Sequence, residues 1–135
     1  METRDTDELC TGDLMARNFL VAAPEDTIGE VAEKMVAADV GSALIVDFGR
    51  LIGILTSRDV LRAIAERVHP SEARTREWMT PEPVTANRET PADEAARLMN
   101  AGGFHHLPVV DGERPVGVIG LRGVANAFYT KVPGL

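Results

Sequence analysis

Residues 46–60 read VDFGRLIGILTSRDV, and residues 110–124 read VDGERPVGVIGLRGV. An offset of 64 superposes Val46/Val110, Asp47/Asp111, Arg50/Arg114, Gly53/Gly117, Arg58/Arg122 and Val60/Val124. Extended outward without a gap, the alignment runs from Leu14 to Ile64 against Trp78 to Phe128. It adds Met15/Met79, Ala22/Ala86, Glu25/Glu89, Glu30/Glu94, Ala32/Ala96, Met35/Met99, Ala37/Ala101 and Ala63/Ala127. Unrelated stretches of ordinary composition share roughly 3 to 5 residues over such a span. The chain is an internal duplication, and each copy is one supersecondary unit.

Each copy predicts strand, helix, hairpin, helix. In the first, Phe19-Leu20-Val21 reads as a short strand, and Thr27-Ile28-Gly29-Glu30 has the spacing of a capping box that opens a helix. Ile28, Val31, Ala32, Met35 and Val36 recur on one helical face, and Gly41 is expected to end it. Ala43–Val46 and Leu51–Leu55 are β-branched apolar runs around Asp47-Phe48-Gly49-Arg50, a hairpin signal. A helix is expected from Ser57 to about Val68, striped by Val60, Leu61, Ile64, Ala65 and Val68. The second copy offers a strand at Val84, a helix with Pro91 at its first position and a Gly102-Gly103 stop. Its hairpin turns at Asp111-Gly112, and its last helix runs from Val124 onward. The expected segments are an acidic arm at 1–13, the first motif at 14–68, a connector at 69–77, the second motif at 78–130 and a tail at 131–135. The fold class is mixed α/β, with the two motifs packed sheet to sheet in pseudo-twofold fashion, since one copy alone leaves an apolar sheet face bare.

Composition sets the outer limits. The 135 residues are 44% hydrophobic and 26% charged, ordinary for a folded chain, with a net charge of -7. No basic stripe offers a grip on phosphate backbones, so nucleic acid is not an expected partner. No apolar run is long enough to span a bilayer, and no membrane association is expected. One cysteine, Cys10, excludes an internal disulfide and any zinc site built on cysteine pairs, which fits a cytoplasmic location. Residues 1–13 hold Glu2, Asp5, Asp7, Glu8 and Asp13 against Arg4, and read as a solvated arm.

The chemistry-bearing stretch is Thr56-Ser57-Arg58-Asp59. It follows an apolar Gly-Ile-Leu strand and opens a helix, where backbone N–H groups and the positive dipole end face an anion. A carboxylate such as Asp59 accepts from two vicinal hydroxyls by charge-assisted bonds, and Arg58 supplies a planar donor pair for phosphate. The same four residues are also a Thr-x-x-Asp capping box, which alone means only a helix start. In the second copy Gly120 and Gly123 stand where Thr56 and Asp59 stand in the first.

These features resemble the cystathionine-β-synthase (CBS) domain family, whose tandem pairs are called Bateman modules. The resemblance rests on Met79-Thr80-Pro81, on the run from Gly103 through His105, His106, Leu107 and Pro108 to Asp111, on Gly53 to Val60, and on the duplication itself. It implies a regulatory, non-enzymatic module that binds an adenosine derivative (AMP, ADP, ATP or S-adenosylmethionine) in a cleft between the motifs. It implies ribose contact for Asp59 and ribose or phosphate contact for Thr56, with Ser57 and Arg58 beside them. Asn18, Phe19, Leu20, Ala43 and Leu44 are implied as the adenine-pocket lining, and His106, Pro108 and Arg122 as contacts from the second copy. One well-formed site per chain is expected, since the second copy lacks the hydroxyl and the carboxylate; the second cleft is expected to be empty, altered or close-packed.

A homodimer through the motif helices and a regulated partner reached in trans complete the expectation. The rival reading is a dimerisation or interaction module without a nucleotide. Metal binding is not expected: His105 and His106 are neighbours on a strand, so they point to opposite faces. Nucleophilic catalysis is not expected either, because Cys10 sits among carboxylates that disfavour a thiolate and Ser57 has no identifiable base. Trp78 reads as a packing residue.

Overall fold

The computed structural model describes residues 9–122 and divides them into two units. The first is Asn18–Pro83; the second joins 84–122 to the preceding stretch 9–17. In chain order the elements are α1 (Thr11–Leu14), β1 (Val21–Ala22), α2 (Ile28–Ala38), β2 (Ser42–Asp47), β3 (Arg50–Thr56), α3 (Ser57–Ala65), α4 (Thr75–Trp78), β4 (Thr80–Pro81), α5 (Ala92–Gly102), β5 (His106–Asp111) and β6 (Arg114–Gly120). The mixed α/β class expected from the sequence is the class observed.

The first unit holds one sheet in the order β1-β2-β3-β4. β1 runs parallel to β2, as a strand-helix-strand connection through α2 requires, while β2 and β3 form the expected hairpin. Its two-residue turn places both Phe48 (φ 51°) and Gly49 (φ 78°) in the left-handed region, the turn whose twist matches the strands. In the second unit β5 and β6 pair in the same register, with the bulge after Val109 matching that after Ile45. The strand expected at Val84 reduces to a single parallel bridge, Ala86 to Val109.

Caps fix the helix ends. Thr27 Oγ1 accepts from the Glu30 N–H at 3.1 Å, and Glu30 Oε1 accepts from the Thr27 N–H at 3.0 Å, the predicted reciprocal box. The Thr27 N–H bond first, then the Thr27 hydroxyl donating to the same Oε1 at 2.9 Å, hold the Glu30 carboxyl below its ordinary 4.5. Pro91 lies one position earlier than expected, as the cap of α5 rather than its first residue. Gly103 (φ 70°) is the predicted left-handed stop. The matching stop of α2 is Asp39 (φ 54°), not Gly41: the chain turns as soon as the Asp39 and Val40 N–H groups reach back into the last turn. α3 likewise ends three residues short of Val68, because Arg67 (φ 63°) turns left-handed and the Val68 N–H bonds to the Ala63 carbonyl. The expected last helix from Val124 lies outside the described residues.

Each unit has its own core, and the two are built from matching positions. Ala22, Val31, Met35, Ala43, Ile45 and Leu55 cluster in the first; Ala86, Ala95, Met99, Leu107, Val109 and Ile119 in the second. The expected stripe of the α3 region is largely uncovered: Val60 and Val68 are half-buried, while Leu61, Ile64 and Ala65 are exposed, and the apolar residue buried on this helix is Ala63, outside that stripe.

The leaders of the two copies are exchanged. The turn α4 and strand β4, which precede the second motif in sequence, complete the first unit: β4 pairs with β3, and Thr75 donates its N–H (2.9 Å) and Oγ1–H (2.8 Å) to the Asp26 carbonyl. Residues 9–17 do the same for the second unit, where Thr11 donates its N–H (2.7 Å) and Oγ1–H (2.8 Å) to the Thr90 carbonyl. Ala16 bridges to Val118 as Thr80 pairs with Ile54. Both threonines are fully buried. The expectation of a solvated arm over 1–13 is therefore corrected at Thr11 and its neighbours, and the connector 69–77 contributes a helical turn. Short polar segments of this kind carry no hydrophobic period, yet their buried N–H groups find carbonyl partners.

Glycine is needed where the exchanged leaders lie closest. A Cβ on Gly53 would overlap Met79 Sδ and stand 3.0 Å from the Thr80 carbonyl oxygen. A Cβ on Gly117 would stand 2.6 Å from Met15 Sδ and 2.9 Å from the Ala16 oxygen.

Candidate functional site

β3 delivers Thr56 to the start of α3 with extended backbone (φ -113°, ψ 166°), which aims its side chain along the new helix. Thr56 Oγ1 accepts from the Asp59 N–H at 3.3 Å. Asp59 Oδ2 accepts from the Thr56 N–H at 2.8 Å and from Thr56 Oγ1–H at 3.0 Å. The capping box is thus formed in full. Asp59 is only 6% exposed, although carboxylates are rarely so buried without partners. Its other oxygen, Oδ1, faces Arg62 Nη2 at 3.5 Å, and the Arg62 guanidinium lies 5.5 Å from the centre of the Trp78 ring.

Helix-start donors are scarcer than the sequence implied. The Ser57 N–H is taken by the Gly41 carbonyl at 3.0 Å and the Asp59 N–H by Thr56. The Arg58 N–H is the first-turn donor left without a hydrogen bond among the described residues. The Arg58 side chain is exposed and makes no ion pair there, so a full positive charge stands beside the buried carboxylate.

The remaining first-unit candidates gather at the same end of the sheet. Ser42 pairs with Thr56 and Ala43 with Leu55, and the Leu20 carbonyl accepts from the Leu44 N–H at 2.8 Å. Asn18, Phe19 and Leu20 lead into β1 rather than forming it, because pairing starts only at Val21. Asn18 is exposed, Phe19 and Leu20 are half-buried, and Ala43 and Leu44 are fully buried. Trp78 packs against the first unit's core, as expected, and also carries Arg62 over its ring. Arg62 is the member of this constellation that the sequence reading missed; its signal was the i,i+3 spacing from Asp59.

In the second unit His106 pairs directly with Gly120, the position matching Thr56. His105 lies in a bend just before β5 rather than on the strand beside His106, which corrects the expected placement; His105 is exposed and His106 half-buried, and burial first, then the neighbouring His105 charge, lowers the His106 pKa from 6.5. Pro108 is buried and its carbonyl accepts from the Ala86 N–H at 2.9 Å; Arg122 is exposed. The Leu121 N–H bonds to the His105 carbonyl at 2.9 Å, as Ser57 does to Gly41. Nothing among the described residues crowds Gly120, since a Cβ there would meet only the His105 oxygen at 3.9 Å. Gly123 lies outside the described residues. No group of three or more metal-ligating side chains occurs among the described residues, nor a helix long and apolar enough to cross a membrane.

Comparison with known proteins places this geometry in context. The family model described as CBS domain matches residues 12–66 and 76–130. The CBS domain-containing protein CBSCBSPB1 of Arabidopsis thaliana is 41% identical over 98 residues, covering 72% of this chain and 18% of that protein. The chain thus spans about a fifth of that relative's length. The CBS domain pair of protein MJ0100, solved in complex with methylthioadenosine and S-adenosyl-L-methionine, superposes with a TM-score of 0.83 at 28% identity, over 91% of this chain and 98% of that one. The CBS domain protein PAE2072 from Pyrobaculum aerophilum, complexed with AMP, gives a TM-score of 0.81 at 25% identity, over 90% and 99%.

Proposed function

Because the chain belongs to the CBS-domain family and carries that domain twice in tandem, we propose that it is a regulatory module binding an adenosine nucleotide at the Thr56–Asp59 helix start. The observation that carries this reading is the buried Asp59 carboxylate. One oxygen is spent on Thr56, while the other keeps acceptor capacity for ribose hydroxyls. Exposed Arg58 next to it matches a phosphate, which favours AMP, ADP or ATP over the uncharged sulfur end of methylthioadenosine. Asn18, Phe19 and Leu20, at the same sheet end, are the residues assigned to the base. Ala43 and Leu44 are assigned to support from beneath, being fully buried. The protein acts without catalysis, signalling its ligand state to a regulated partner in trans.

A second reading, an interaction module without nucleotide, draws on exposed Leu61 and Ile64 on α3 and Val36 on α2, apolar side chains suited to homodimer packing. Thermal melting with AMP, ADP, ATP, S-adenosylmethionine and GTP separates the two. Ligand at about 100 times its dissociation constant adds roughly 2.7 kcal/mol, a shift of several degrees. A midpoint raised by adenosine compounds and not by GTP supports the sensor; no shift at millimolar concentration with any of them refutes it.

A further inference from the structure

Arg62 lies outside the Thr56–Asp59 stretch, yet among the described residues it is the cation paired with the buried carboxylate oxygen that Thr56 leaves open. Asp59 Oδ2 accepts two hydrogen bonds from Thr56, which fill its lone pairs. Oδ1 stands 3.5 Å from Arg62 Nη2, longer than the roughly 2.7–2.9 Å of a charge-assisted hydrogen bond. The guanidinium therefore fixes the charge around Oδ1 without consuming its acceptor capacity. Trp78 supports the arrangement from the other side, its ring centre 5.5 Å from the guanidinium carbon, inside the range of about 6 Å over which a ring attracts a cation. Although 57% exposed, the Arg62 side chain is thus held at two points.

We infer that Arg62 is a positioning residue that holds Asp59 Oδ1 for a ribose hydroxyl, with Trp78 as its platform. The inference rests on the adenosine reading above and assigns to this residue pair the discrimination of ribose from deoxyribose. The internal duplication supplies the contrast. In sequence the second copy carries Gly120 for Thr56, Gly123 for Asp59 and Asn126 for Arg62, and the exchanged leader of the second unit carries Leu14 where that of the first carries Trp78, so all four members differ.

The test is calorimetric titration of AMP and of 2′-deoxy-AMP into the unaltered protein, Arg62→Ala and Arg62→Lys. Arg62→Ala is expected to weaken AMP about three- to fivefold, the range of an exposed ion pair, and to leave 2′-deoxy-AMP nearly unchanged, so discrimination falls by that factor. Arg62→Lys keeps the charge without the planar fork and restores part of it, which a role in helix packing alone does not produce. Both nucleotides are measured on the same variant, so a loss of folded fraction cancels in the ratio. Binding by the unaltered protein with an unchanged ratio in Arg62→Ala overturns this inference alone. No AMP binding by the unaltered protein overturns the adenosine reading and this inference with it.

Discussion

The first and second units share strand register, bulge position, core positions and the exchanged leader, but they part company at one junction. β3 runs into a Thr-Asp capping box, whereas β6 ends in Gly120. Both junctions nevertheless make the same bond, from the Ser57 or Leu121 N–H to the Gly41 or His105 carbonyl. This bond at the end of the strand therefore forms without a threonine at its last position. What the first unit adds there, a buried carboxylate flanked by Arg58 and Arg62, exceeds what that bond requires and marks the place where a ligand is to be sought.

The comparison can be broken first at its glycines. Gly53→Ala pushes a methyl group into Met79 Sδ and Gly117→Ala one into Met15 Sδ; each is expected to cost about 1–3 kcal/mol, read as a lower denaturant midpoint. Gly53→Ala is expected to loosen β3 and β4 while leaving β5 and β6 protected against amide hydrogen exchange, and Gly117→Ala the reverse. A uniform loss of protection in either variant would contradict two separate cores.

Removing a leader hydroxyl has a smaller effect and crosses the sequence boundary. Thr75→Val deletes the donor to the Asp26 carbonyl and should cost about 1–2 kcal/mol in the first unit, although residue 75 precedes the second motif. Thr11→Val should do the same to the second unit through Thr90. Hydrogen exchange at α2 against α5 reports which unit has loosened, and the opposite assignment would refute the exchange of leaders.

The smallest expected effect is a pH dependence confined to the second unit. The folded state lowers the His106 pKa below 6.5, so the unfolded chain binds its proton first. Stability is complete above 6.5 and is lost as pH falls from there through the lowered value. His106→Asn should flatten the stability profile across that window. An unchanged slope would show that burial of the ring carries no proton linkage.

Much of this was legible in the residues. The 64-residue offset gave the duplication, alternating apolar runs gave both hairpins, and Thr27 with Glu30 gave a helix start that the hydrogen bonds reproduce. Missing was the exchange of leaders, because a four-residue helical turn has no hydrophobic period to read; the signal lay in carrying the offset upstream, where Thr11 meets Thr75. The α2 stop was misplaced because glycine is the residue usually sought, and Asp39 adopts the left-handed cap instead. At the site, Thr56 and Asp59 were visible as a motif, while Arg62 and Trp78 gain meaning only when a helix turn and the exchanged leader bring them together.

The central claim is one adenosine site per chain, seated on Asp59. Isothermal titration of AMP into the unaltered protein and into Asp59→Ala tests it most directly, with circular dichroism to confirm that the variant keeps its fold apart from about 1 kcal/mol of weakened cap. The account predicts a single AMP per chain and its loss in Asp59→Ala, a drop of at least about tenfold in affinity for a removed charged hydrogen-bond partner. Two AMP per chain, or undiminished binding in Asp59→Ala, would contradict it.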